Sequence, residues 1–162
     1  MASVAELLAH ARVRLADAPR VAVGEVVEPR RILGIARASR IVPRGTAWHL
    51  GAVLLTDDGM LATGEVVRSR LSARRGYTAE SQRRRGELAE AAHRARYPEG
   101  TPVHLGWTRV DLDALARGEA SGPLAVIDGV PSVRWSPAAG YQPLEAYLAE
   151  RIDLLVHPPE RA

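Results

Sequence analysis

The spacing of apolar residues changes several times along the chain, and each change predicts an element. In residues 3–16, Val4, Leu7, Leu8, Ala11 and Leu15 fall on one helical face. Ser3 and Glu6 stand at capping-box spacing, where hydroxyl and carboxylate satisfy free backbone amides reciprocally. Pro19 closes this helix. Residues 21–29 carry Val21, Val23, Val26 and Val27, broken by Gly24 and Pro29, and suggest a short extended piece. Residues 31–42, with Ile32, Leu33, Ile35, Ile41 and Val42, predict one strand or two short ones. Pro43, Arg44 and Gly45 predict a turn.

Residues 46–56 and 60–67 then read as a hairpin about Asp58-Gly59, since both residues tolerate the positive φ of tight turns. Trp48, Leu50, Ala52 and Leu54 would share one face of its first strand, and His49, Gly51, Val53 and Leu55 the other. Both faces are largely apolar, as in a central strand covered on both sides. Residues 77–96 predict the second long helix, with Thr78 as N-cap and Glu80 in the first turn. Its apolar stripe is thin: Leu88, Ala91, Ala92 and Ala95. Gly86 costs it about 1 kcal/mol relative to alanine. Pro98 and Gly100 end it.

Residues 101–110 predict a strand around Val103 to Trp107. Asp111 caps a short helix over 112–117, which Gly118 stops. Residues 124–127 and 130–135 form a second hairpin about Asp128-Gly129, with Pro131 placing the return strand at an edge or giving it an irregular start. The last helix covers 143–156. It buries Leu144, Tyr147, Leu148, Ile152 and Leu155, and Pro158-Pro159 forbids continuation. The predicted fold class is α+β: a mainly antiparallel or mixed sheet of about five to seven strands, with three main helices packed on it. One domain over 1–162 is expected, with 157–162 as a flexible tail.

Composition narrows the chemistry. The chain has no cysteine, so thiol catalysis, zinc–thiolate sites and disulfides are excluded. That absence fits a reducing, cytoplasmic location. The opening residues lack the basic n-region of a signal peptide, and the longest apolar run is far too short to span a membrane. Lysine, asparagine and phenylalanine are absent, and every basic residue in the net charge of +3 is arginine. Arginine codons are GC-rich, so arginine abundance is partly a codon effect, and the informative property is where the arginines cluster.

They cluster after the first hairpin. Arg68 and Arg70 end a strand, Arg74 and Arg75 precede a helix, and Arg84 lies on its first turns. Guanidinium forks bind phosphate, and helix-start amides add a positive end. Tyr77 is placed to stack on a base. The partner this suggests is nucleic acid or another phosphate-bearing ligand. The bland alternative is a solvated linker and helix face. His49 and His104 are weak catalytic candidates, and each reads more readily as a partly buried histidine satisfied by backbone carbonyls. No pattern requires a metal or a cofactor. The missing lysine excludes a phosphate loop, a Schiff base and a Ser-x-x-Lys pair. Trp48, Trp107 and Trp135, all in or beside strands, suit core or interface packing, so self-association as a homo-oligomer is a further reading.

Four stretches carry a resemblance that covers most of the chain: Arg31-Ile32-Leu33-Gly34-Ile35-Ala36-Arg37, Ala47-Trp48-His49-Leu50-Gly51, Arg75-Gly76-Tyr77-Thr78-Ala79-Glu80-Ser81-Gln82-Arg83, and Gly129-Val130-Pro131-Ser132-Val133-Arg134-Trp135. They resemble a group of short proteins of GC-rich bacteria that sometimes carry the label glutaminase. The label implies hydrolysis of glutamine to glutamate and ammonia. The established serine-dependent glutaminases are longer and use a Ser-x-x-Lys pair, which this chain does not have. The resemblance would therefore need a serine or threonine working with His49 or His104, or an activated water.

Overall fold

A computed structural model describes residues 1–29, 33–35, 38–72, 76 and 79–160. The expected strand residues 31, 32, 36 and 37, the expected cap Thr78, and the tail residues 161–162 lie outside these. The architecture is α+β, with a seven-stranded mixed sheet in the order Glu65–Arg68, Pro102–Leu105, Val21–Val27, Arg40–Leu50, Val53–Leu55, Met60–Ala62, Thr108–Arg109 and a three-stranded sheet in the order Gln142–Pro143, Val130–Val133, Leu124–Ile127. Two compact units make up the chain. The first comprises Met1–Arg20, Ala47–Thr63 and Trp107–Ala162, and the second Val21–Thr46 and Gly64–Gly106.

The first unit opens with α1 (Val4–Arg14), whose Ser3–Glu6 capping box forms as expected. The end of β2 (Arg40–Leu50) follows, then β3 (Val53–Leu55) and β4 (Met60–Ala62). The sequence predicts one strand over 46–56, but the chain reverses inside it. Leu50 pairs with Val53 and Trp48 with Leu55, around the two-residue loop Gly51-Ala52. Gly51 sits at φ 68° while Ala52 keeps a negative φ, the glycine-first pattern of a type II′ turn. Trp48 therefore shares its face with Leu55, not with Ala52 and Leu54. The Asp58-Gly59 turn forms where expected, with Leu55 opposite Met60. Then come β7 (Thr108–Arg109), α3 (Leu112–Ala116) capped by Asp111, and the hairpin of β8 (Leu124–Ile127) and β9 (Val130–Val133). Asp128 and Gly129, at φ 49° and 79°, make its turn. β9 is central rather than an edge. Pro131 is accommodated because β10 (Gln142–Pro143) pairs only with Ser132 and Val133. α4 (Leu144–Val156) completes the unit and buries Leu144, Tyr147, Leu148 and Ile152. The core joins Leu8, Ala11 and Leu15 to Trp48, Leu50, Val53, Leu55, Met60 and these residues.

The second unit holds β1 (Val21–Val27), the start of β2, β5 (Glu65–Arg68), α2 (Glu80–Arg94) and β6 (Pro102–Leu105). β1 pairs parallel with β6, and β5 pairs antiparallel with it. Instead of a turn, Pro43 to Gly45 lie within β2. Proline's fixed φ is compatible with an extended strand, and the strand absorbs Gly45 at φ 96°. Of the expected strand over 31–42, residues 40–42 form the start of β2 with Ile41 buried, whereas Leu33-Gly34 make a turn, both with positive φ, and Leu33 is exposed.

Two further predicted strands are each split by a glycine. The run 60–67 becomes β4 and β5, with different partners, on either side of Thr63-Gly64. A side chain on Gly64 would meet the Leu105 carbonyl oxygen at 2.3 Å, so only glycine lets the two backbones pass. The run 101–110 becomes β6 and β7 on either side of Gly106, at φ 63°. The core of this unit is small: Ile41, Val67, Leu88, Ala91, Ala92, Val103 and Leu105. Among the described residues no helix is long and apolar enough to cross a membrane.

Candidate functional site

The arginine-bearing segment between β5 and α2 is anchored at both of its described ends, within the second unit. At the first end, Arg68 donates to the Gly100 carbonyl at 3.2 Å. The buried Ser69 donates through its amide to Thr101 and through its hydroxyl to Tyr97, and its own carbonyl accepts from Gly100. The Arg70 amide donates to the Ala89 carbonyl on α2, and the Leu71 amide donates to the Glu99 carboxylate at 2.8 Å. These bonds hold the backbone and leave the Arg70 side chain exposed.

At the other end, α2 begins at Glu80, and its N-cap position, Ala79, has no side chain able to cap. Leu88, Ala89, Ala91 and Ala92 hold the helix down by burial. Arg84 and Arg85 reach to different strands. Arg85 donates to the Val66 carbonyl of β5 at 3.0 Å. Arg84 forms an ion pair with Glu28, just past β1, and donates to the Ser39 hydroxyl at 2.9 Å. Hydrogen bonding by Arg84, and then by Ser39, holds the Glu28 carboxyl below its usual range. Arg84 therefore serves the protein's own carboxylate first, and an incoming anion must compete for it. Arg74, Arg75 and Tyr77 lie outside the described residues.

The histidines occupy unlike settings in different units. His104 is buried on β6, opposite Val23 on one side and Val66 on the other. His49 is exposed on β2, with Nε2 3.0 Å from the Gly51 carbonyl oxygen. Among the described residues, no group of three or more His, Asp or Glu side chains is arranged to hold a metal ion. Trp48 is buried, donates from its indole N–H to Ala18 at 3.3 Å, and lies under the Arg20 guanidinium at 3.7 Å from the ring centroid. Trp135 is 56 % exposed, so core packing does not account for it.

Sequence reasoning missed the polar partners. Glu28, Ser39 and Glu99 shape the surroundings of the arginines, yet each comes from a loop or strand end with no local pattern to mark it. No protein-family model matches the chain, and no curated protein or solved structure matches it.

Proposed function

We propose that this chain is a small cytoplasmic binding protein that holds a nucleic acid or another phosphate-bearing partner through the segment from Arg68 to Arg85. The observation that carries this reading is charge segregation. Residues 68–85 contain seven arginines and one acid, Glu80, a formal +6, while the rest of the chain has fifteen arginines and eighteen acids, a formal −3. Codon bias raises arginine everywhere, but it does not clear acids from one stretch. The anchored ends support the same reading, because a fixed backbone lowers the entropy lost when the side chains engage a ligand.

Binding to single- and double-stranded oligonucleotides over a salt series tests the proposal. Affinity is expected at low salt and should fall as salt rises, with a log–log slope of about −0.7 to −0.9 per phosphate contact. Arg68→Ala and Arg70→Ala should each flatten the slope. Arg117→Ala, which removes an arginine already paired with Glu119, should not. No binding at low salt, or binding indifferent to salt, overturns the reading. Ammonia release from glutamine by the same preparation tests the activity that the resemblance implies. No release removes it, and release that survives both His49→Ala and His104→Ala removes the histidines from it.

A further inference from the structure

The loop that joins β9 to β10 in the first unit presents two aromatic rings to solvent. Trp135 is 56 % exposed and Tyr141 41 % exposed, whereas Trp48 and Tyr147 of the same unit are buried. The register sets Val133 opposite Gln142, so Arg134 and Tyr141 leave the two strands side by side. The Arg134 guanidinium lies 5.9 Å from the centroid of the Tyr141 ring, and Trp135 follows directly in the chain. Single exposed apolar residues are ordinary on a protein surface. Two rings and a cation gathered on one loop are not, and a tryptophan left in water forgoes a large apolar burial.

The loop is braced from within. The Arg134 amide donates to the Pro123 carbonyl at 2.9 Å, and its guanidinium donates to the carbonyls of Ser136 at 3.3 Å and Pro137 at 2.9 Å. The Ala139 amide donates to the Ser136 carbonyl at 3.1 Å and to its hydroxyl at 3.2 Å. Carbonyls orient the guanidinium without cancelling its charge. Among the described residues no carboxylate pairs with it. Arg134 is also the one charged residue between Asp128 and Glu145.

Open ring faces beside a fixed, uncompensated cation suit an unpaired nucleic-acid strand. Bases of any sequence stack on such rings, and the cation meets the backbone phosphate. A duplex keeps its base faces stacked on one another and cannot offer them. We propose that Trp135, with Arg134 and Tyr141 of the same loop, is a base-stacking contact for single-stranded nucleic acid. This rests on the nucleic-acid reading above and narrows it to unpaired strands. It uses no residue of the Arg68–Arg85 segment.

The test uses the full chain and dye-labelled oligothymidylate, alone and annealed to its oligoadenylate complement, at one low salt concentration. Anisotropy gives the affinities, and tryptophan emission reports stacking. The single strand should quench the emission and bind several-fold more tightly than the duplex. Trp135→Ala should remove most of the quench and weaken single-strand binding about 5- to 150-fold, the range for one lost stacking contact, with duplex affinity unchanged. Trp135→Phe should restore most of the affinity. If Trp135→Ala binds the single strand as tightly as wild type, or wild type binds strand and duplex equally, the stacking contact is overturned and the arginine reading stands. Binding of neither form removes both. The wild-type comparison of strand with duplex decides by itself if a variant fails to fold.

Discussion

The two units are held together by different means. Among the described residues, the first buries sixteen in its core cluster, Trp48, Tyr147 and Met60 among them, whereas the second buries seven, two of which are alanines. With less apolar surface to remove from water, the second unit relies on close backbone approach and polar bracing. Gly24 leaves room for Ile41, whose Cγ2 would lie 2.8 Å from any Cβ there. Tyr97 and Ser69 tie β1 and the end of β5 to the loop after α2. The arginine segment belongs to this thinner unit.

The strongest way to break the contrast is to remove Leu88, the only large side chain that α2 buries. Leu88→Ala should cost about 2–5 kcal/mol. Hydrogen exchange read residue by residue should then show β1, β5 and β6 losing protection while β3 and β4 keep theirs. Protection lost in step throughout the chain would show that the units share one stability. Gly64→Ala should cost about 3 kcal/mol, because the atoms it meets are the Leu105 and Gly106 backbone, which cannot give way. Gly129→Ala in the first unit meets nothing within 4 Å. It should cost only the positive-φ strain, about 1–2 kcal/mol. Urea midpoints for the two variants check the order.

A smaller change sharpens the picture of the first unit. Tyr147→Phe keeps the ring but leaves the Ala52 amide and Leu50 carbonyl without their partner. Each such loss costs about 1–3 kcal/mol when the group stays buried. The same variant should loosen the Gly51-Ala52 turn, seen as faster exchange of the Ala52 amide with little change at β8 and β9.

These sites explain what was legible from sequence. The helices were readable because their determinants are local: the Ser3–Glu6 box, the Asp111 cap, and the 3.6-residue spacing from Leu144 to Ile152. The Asp58-Gly59 and Asp128-Gly129 turns were readable for the same reason. Strand ends were not, because an apolar run does not say which neighbour it pairs with. Leu50 to Leu55 looked like one strand, although the reversal is marked only by Gly51, next to Leu50, whose carbonyl accepts from a tyrosine hydroxyl 97 residues away. Gly64 and Gly106 likewise mark changes of partner strand. At the candidate site the arginines were plain, but the acids that compete for them were not. Glu28 meets Arg84 across 56 residues, and no local pattern encodes such a pair.

Acid should expose the polar bracing of both units. Hydrogen bonding from Arg20 depresses the Asp57 carboxyl in the first unit, and Arg84 depresses Glu28 in the second. A carboxylate whose folded-state pKa lies below its unfolded value contributes stability above the unfolded value, about pH 4. That contribution is lost as pH falls through the depressed folded value. Thermal melts from neutral pH downward should therefore be level at first and then decline below about pH 4. Asp57→Asn and Glu28→Gln should each make the decline shallower. Both carboxylates are exposed, so each effect is small.

The smallest change is also the most specific to function. Glu28→Gln removes the charge that holds Arg84 and leaves a neutral side chain of similar shape. The fold of the second unit should be unaffected, since surface ion pairs contribute little. On the proposed function, affinity for a phosphate-bearing partner should tighten. An Arg84 no longer paired internally becomes available to the ligand, and one more phosphate contact steepens the log–log salt dependence by about 0.7 to 0.9. Adding Arg84→Gln to Glu28→Gln should erase the gain. If Glu28→Gln leaves both affinity and slope unchanged, Arg84 is a structural tie between α2 and the end of β1, and the phosphate-binding surface is confined to the arginines before the helix.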